Sequence, residues 1–318
     1  MEGLESHSPV RAAPILSVVV VAYDMARELP RTVQSLQAPY QIGLGNAQVE
    51  IIVVDNKSTT PVQIEDFSDP QGVTVIRVED GGQSPCRAIN QAASQARGEY
   101  VALMIDGARM ASPQLLVRSL EAVVTRPEAL VITLGLHLGP KTQQVSTTEG
   151  YDREEEDRLL RSIGWPQDGY RLFEVSALGE SYAKGANAMP PETTFCVMRR
   201  AQFNAIGGFD ERFTSLGGGF ANFDFLERAG VGATPVLLVG EATFHQLHFG
   251  ATTQAGGIRR SVDDETRSLG EVYAEEYERL RGRVFRARDD PPLLYGSLTH
   301  PRVGPMFFPI PNGRDQGS

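Results

Sequence analysis

Three short runs of consecutive apolar residues constrain this chain most. They span 18–21, 51–54 and 101–105, and an aspartate follows each within three residues: Asp24, Asp55 and Asp106. A strand that is apolar on both faces must be covered on both faces, which is the situation of a central strand in a parallel sheet. The first strand is expected over 15–23, with others over 49–54, 73–78, 100–105, 130–138, 192–198 and 235–239. Helical patterns lie between them over 28–37 and 85–97. Gly98 reads as a C-cap, and Ser112-Pro113 as the start of the next helix. Further helices are expected over 152–163 and 221–229, and a long polar one over 263–286. Strand–helix alternation of this kind predicts an α/β fold with an open, mostly parallel, doubly wound sheet and a C-terminal helical extension. Ligands of such sheets bind beyond the carboxyl ends of the strands. The three aspartates are expected there.

Composition narrows the function classes. Hydrophobic residues make up 41% of the 318-residue chain and the formal net charge is -10. A nucleic-acid binder would carry a basic stripe, and the chain has no run of Lys or Arg. With this acidic balance, a phosphate-bearing substrate needs local neutralisation by a metal or by a few placed arginines. Cys86 and Cys196 are the only cysteines, so no disulfide framework is expected and both read as small buried residues. No segment has the length of a signal peptide or a membrane span, so the expectation is a cytoplasmic protein without a transmembrane segment. Residues 1–13 read as a flexible lead-in, 14–250 as the main domain, and 251–318 as a helix and tail packing on it. Tyr295, Phe307 and Phe308 are the expected apolar anchors of that tail.

Several ordered pieces then point in one direction. They are VVVVAYD (18–24) with Glu28, EIIVVDNKST (50–59), SPCRAINQAASQARGEYVALMID (84–106), GGFDERF (207–213), GGGFANFDF (217–225) and FHQLHFG (244–250). In order and spacing they resemble the family 2 inverting glycosyltransferases of the GT-A fold, over roughly residues 15–250. The resemblance implies that Ala22, Tyr23, Glu28 and Asp55 hold the nucleoside of a nucleotide-diphosphate sugar, with a UDP-sugar favoured. Ser84, Arg87 and Asn90, at a helix start whose free N–H groups suit an anion, are candidates for the diphosphate side. Arg87 is a candidate for either the diphosphate or Asp106.

Members of this family carry Asp-x-Asp after the fourth strand, where it holds Mg²⁺ or Mn²⁺. This chain reads Asp106-Gly107-Ala108-Arg109. Two readings stand. Either Asp106 keeps a divalent metal with help from His245 and His248, or Arg109 supplies the counter-charge to the leaving diphosphate. On the acceptor side the family's catalytic base falls at Asn222, which has no carboxylate. Asp224 is then the candidate base, against a role as a cap or ion-pair partner, with Asp210 and Glu211 in reserve. Gly217 to Gly219 are expected to let backbone approach a sugar. Gly207 to Asp210 read as a turn against the site floor, and Trp165 as either a sugar platform or core. The acceptor is left open among saccharides, lipid-linked molecules and small molecules. A non-catalytic nucleotide-sugar binder is the alternative. A nucleotidyltransferase is disfavoured because the loop after the first strand has no glycine.

Overall fold

The computed structural model describes residues 13–248, 250, 259, 261, 267–288 and 290–310. The expected lead-in lies outside these residues apart from Ala13, as do residues 263–266 at the start of the expected long polar helix. In chain order the elements are β1 (Leu16–Ala22), α1 (Leu29–Ser35), β2 (Val49–Asp55), β3 (Val73–Arg77), α2 (Cys86–Ser94), β4 (Tyr100–Met104), β5 (Arg109–Ala111), α3 (Leu115–Thr125) and β6 (Ala129–Leu138). Then follow α4 (Gln143–Ser146), α5 (Arg153–Ser162), β7 (Ser176–Leu178), β8 (Phe195–Arg199), α6 (Arg200–Ala205), α7 (Ala221–Ala229), β9 (Thr234–His245), α8 (Leu269–Arg281), β10 (Leu293–Gly296) and α9 (Val303–Phe307).

One sheet runs in the order β10-β9-β6-β8-β4-β1-β2-β3, with β5 paired to β9 and β7 to β6. The half made of β4, β1, β2 and β3 is parallel. β8 enters antiparallel between β4 and β6, and β6, β9 and β10 run parallel to one another. All seven residues of β1 and of β2 are buried. Their side chains alternate between two apolar layers. Val19, Val21, Ile52 and Val54 pack with Ala88, Ile89 and Ala92 of α2. Val18, Val20, Ile51 and Val53 pack with Leu29 and Val33 of α1 and Leu115 of α3. That is why the strands read as unbroken apolar runs rather than as alternating ones.

Four local readings need correction. The strand expected to end at residue 239 continues to His245. Gly240, at φ +87°, bends it without ending it. Gly98 does not cap α2, which stops at Ser94. It lies against β1, where a Cβ would come within 2.7 Å of the Ser17 nitrogen. Ser112 is not an N-cap either, because its hydroxyl donates to Glu241 and accepts from the Ala242 N–H. Glu192 precedes β8 instead of lying in it. Both cysteines are free and buried. In the tail, β10 extends the sheet beside β9 and Phe307 is fully buried, whereas Phe308, also expected as an anchor, is 39% exposed. Among the described residues no helix is long and apolar enough to cross a membrane.

The C-terminal helix is joined to the domain by charge as well as by rings. Asp224 of α7 is buried, and its carboxylate accepts from Arg228 at 2.8 Å and from Arg281 of α8 at 2.5 Å. Arg281 also reaches Asp210 at 2.7 Å. Phe220, Tyr277 and Phe285 meet edge to face beside this cluster. Removing one partner of a buried ion pair leaves the other uncompensated. Asp224→Ala is therefore expected to lower the unfolding free energy by about 3 kcal/mol, the low end for such a loss because both arginines keep some solvent access. Urea denaturation of the variant beside the parent measures it.

Candidate active site

The register of β1 with β2 sets Ala22 opposite Asp55, and the Asn56 N–H donates to the Ala22 carbonyl at 2.9 Å. The Gly107 N–H donates to the Val21 carbonyl at 2.7 Å. A Cβ on Gly107 would stand 2.9 Å from that same oxygen, so the chain after β4 can fold back against β1 only with glycine there. The carboxyl ends of β1, β2 and β4 thus converge on one cavity of about 1010 Å³. That is the upper end of the size range of ligand pockets.

At its floor stand Asp106, His245 and His248. Their ligating atoms all lie within 4.8 Å of one another. His245 Nε2 is 2.9 Å from Asp106 Oδ2 and 3.1 Å from His248 Nε2. Gln143 of α4 fixes the tautomer. Its Nε2 donates to the His245 carbonyl at 2.9 Å, which leaves its Oε1 to face His245 Nδ1 at 2.6 Å. An oxygen can only accept there, so Nδ1 carries the proton and Nε2 is a bare lone pair aimed at the carboxylate. Burial pushes the His245 imidazole down to about 4, against the pull of Asp106, so it is neutral at pH 7. Burial also disfavours a charged Asp106, but His248 and His245 outweigh it and hold the carboxyl well below the usual range. For His248 burial acts downward and Asp106 wins, raising it. One carboxylate and two imidazole nitrogens converging in this way form the donor set of a divalent cation, which would displace the proton that His248 holds. The residues present fit such an ion.

The loop that carries His248 is held from behind. Glu156 of α5, fully buried, accepts from the Leu247 N–H at 2.6 Å and from Arg27 at 3.1 Å. Beside the cluster, β5 pairs antiparallel with β9 and sets Arg109 directly opposite His245. Arg109 lines the cavity, and its Nε and Nη1 are buried without an acceptor among the described residues. An unmatched buried guanidinium is costly and suits an anion.

The other expected residues fall into three groups. Ala22 and Tyr23 line the cavity, whereas Gly107 and Ala108 serve as backbone, with the Ala108 carbonyl accepting from the Gln246 N–H at 2.8 Å. Asp55 sits just behind the wall. Its carboxylate accepts from the Ser58 and Val62 N–H groups and from Arg77 at 2.6 Å, and these bonds outweigh burial to keep it charged. Asn56 and Lys57, its successors, line the cavity in its place.

The third group does not line the cavity. Glu28 is buried against Arg27. Ser84 Oγ accepts from the Cys86 N–H. Arg87 pairs with Asp80 on the surface at 2.7 Å, not with Asp106. Asn90 clasps Phe209, donating to its carbonyl at 2.8 Å and accepting from its N–H at 2.8 Å. The turn over 207–210 is therefore anchored in the core, with Phe209 stacked on Phe225. Trp165 packs beside Tyr40 instead of forming a sugar platform.

The expected base, Asp224, is displaced for a plain reason. Asn222 and Asp224 are both inside α7, and residues two apart on a helix point about 200° apart. Asn222 lines the cavity, so Asp224 turns to the arginines behind. Gly217, Gly218 and Gly219 all have positive φ, and Gly217 and Gly219 bring backbone to the cavity wall. Residues missed in the sequence complete the wall: Glu192 and Thr193 before β8, and the aromatic rings of Phe220, Phe223 and Tyr273. The pair Phe220 and Phe223, three apart at a helix start, was a legible signal of a shared face.

The fold, with its strand ends converging on one cavity, is of the GT-A kind. The sequence pattern described as Glycosyl transferase family 2 matches residues 17–132, which run from β1 into β6. Among curated relatives, a validoxylamine A glucosyltransferase of Streptomyces hygroscopicus subsp. jinggangensis (strain 5008) is 30% identical over 229 residues, covering 69% of this chain and 51% of the relative. One from Streptomyces hygroscopicus subsp. limoneus is 28% identical over 229 residues, covering 69% and 48%. The chain thus spans about half the length of these relatives. Among solved structures, S. aureus TarS 1-349 in complex with UDP-GlcNAc shares the fold, with a TM-score of 0.52 at 16% identity over 83% of this chain and 66% of that one.

The hydrogen bonding of the floor has a direct spectroscopic consequence. In metal-free protein at pH 6, long-range ¹H–¹⁵N NMR is expected to show His245 neutral and protonated at Nδ1, titrating only near pH 4. His248 is expected to take up its proton at higher pH than His245. A His245 ring protonated at Nε2 would contradict the geometry.

Proposed function

We propose that this chain transfers a sugar from a nucleotide-diphosphate donor, with UDP as the nucleotide, to a hydroxyl group by a single inverting displacement. The observation that carries the reading is the convergence of Asp106, His245 and His248 beside the unmatched Arg109 at the floor of one large cavity. A diphosphate leaving group develops negative charge as its bond to the sugar breaks, and fixed positive charge at that point lowers the barrier. Asp106, His245 and His248 would hold a divalent ion, which would supply that charge beside the leaving diphosphate. Two imidazoles make the donor set softer than the all-oxygen set magnesium prefers, so Mn²⁺ suits it better than Mg²⁺.

Arg109 adds a second cation from the opposite strand and gains acceptors for its unmatched nitrogens. The two sequence readings for this end of the site, metal and arginine, are therefore complementary. The nucleoside is assigned to the end lined by Ala22, Tyr23, Asn56 and Lys57, with Asp55 holding that loop. The acceptor is assigned to the end lined by Phe220, Phe223 and Tyr273, whose ring faces suit a sugar or other polyhydroxylated ring. The relatives' name makes glucose and validoxylamine A the first donor sugar and acceptor to test.

Calorimetry with UDP, with and without Mn²⁺, tests this directly. UDP is expected to bind more tightly with Mn²⁺ present, and Asp106→Asn to abolish that difference. Arg109→Ala is expected to weaken UDP about 10- to 100-fold, the worth of a charge-assisted hydrogen bond at a buried site. UDP affinity and turnover that are indifferent to EDTA would overturn the metal and leave Arg109 as the sole counter-charge. Binding of a different nucleotide in preference to UDP would overturn the uracil assignment.

A further inference from the structure

Three carboxylates line the cavity among the described residues: Asp106, Glu180 and Glu192. Asp106 is engaged by His245 and His248. Glu180 is exposed on a short turn. Glu192 is half-buried, and the backbone on either side of it is restrained. The antiparallel pairing of β8 with β4 ends at Met104 and Phe195, and one further bond, from the Ile105 N–H to the Thr194 carbonyl at 3.2 Å, carries it outward. Thr194 Oγ1 is tied to Thr243 Oγ1 of β9 at 2.7 Å. Pro190 and Pro191 restrict the backbone just before. The segment thus leaves the sheet beside the strand end that carries Asp106. From across the cavity, Asn222 Nδ2 donates to the Thr193 carbonyl at 2.6 Å and to Glu192 Oε2 at 3.3 Å. The side chain of Asn222, unable to take a proton itself, steers one that can.

We infer that Glu192 is the general base of this transferase and that Asn222 is its positioning residue; the inference rests on the function proposed above. In the step, the acceptor oxygen forms its bond to the anomeric carbon while its O–H bond breaks, and the proton passes to the Glu192 carboxylate. The bond from the anomeric carbon to the diphosphate breaks on the opposite face, and its electron pair leaves with the diphosphate oxygen. Charge is conserved, because the carboxylate gains the proton that the new glycoside loses. Asp224, held between two arginines behind α7, takes no part.

Glu192→Gln keeps the shape and removes the basicity. With UDP-glucose and Mn²⁺, its UDP release with water or validoxylamine A as acceptor is expected to fall at least ~100-fold, the scale of a general base, while UDP affinity is retained. Azide, a nucleophile with no proton to lose, is expected to react in the variant at the wild-type rate. Asn222→Ala is expected to lower hydroxyl transfer and spare azide transfer. Asn222→Asp in the Glu192→Gln background is expected to restore part of the hydroxyl rate. Undiminished hydroxyl transfer in Glu192→Gln, or equal loss with azide, overturns the inference alone. Wild-type protein that binds UDP yet turns over none of these nucleophiles also overturns it and leaves the nucleotide reading standing. Wild-type protein that fails to bind UDP removes both.

Discussion

The structure depends on the double burial of β1. Flanked by β2 and β4 in parallel register and covered by α2 on one face and by α1 and α3 on the other, it exposes no edge and almost no side chain. Each buried methylene contributes roughly 0.8 kcal/mol, so a shift of β1 by one residue, which would exchange its two sets of side chains between the layers, is strongly disfavoured. Fixing this register fixes where three chains leave the sheet. Tyr23, Asn56 and Asp106 then face one space as a consequence of packing that is itself indifferent to chemistry.

The parallel half of the fold was legible because its signals are local. Apolar runs, an aspartate after each, and helical stretches between them state the alternation outright, and α7 falls on the residues expected. The antiparallel half was harder. β9 reads as finished at Gly240, yet the buried Glu241, held by Ser112, Tyr170 and Gln114, lets the strand continue past that bend to His245. β5 is three residues long and exists only because β9 lies beside it. Nothing within three residues could announce such a partner.

The site divides in the same way. Asp106, His245 and His248 were legible as residue types at family-like spacing, and the fold brings them together. Whether a side chain faces the cavity depends on helix phase and on competing partners, which a linear reading does not carry. Asp224 and Arg87 have suitable chemistry and are taken by arginines and by Asp80. Glu192 had no spacing to mark it, since its relation to Asn222 crosses 30 positions and arises only when β8 and α7 meet.

The stretch between β6 and β7 carries a different lesson. Gln143 grips His245 by both ring and backbone, and Glu156 grips the loop two residues further on, so two short helices outside the central sheet hold the floor of the cavity from behind. The same stretch also closes the core over the sheet, with Leu160, Ile163, Leu172 and Phe173 buried there and Phe173 edge-on to Phe244 of β9. Core and site geometry are thereby inherited together. A lineage that redrew residues 139–164 would disturb the core at Leu160 and Ile163 and the cavity floor at His245 in one stroke.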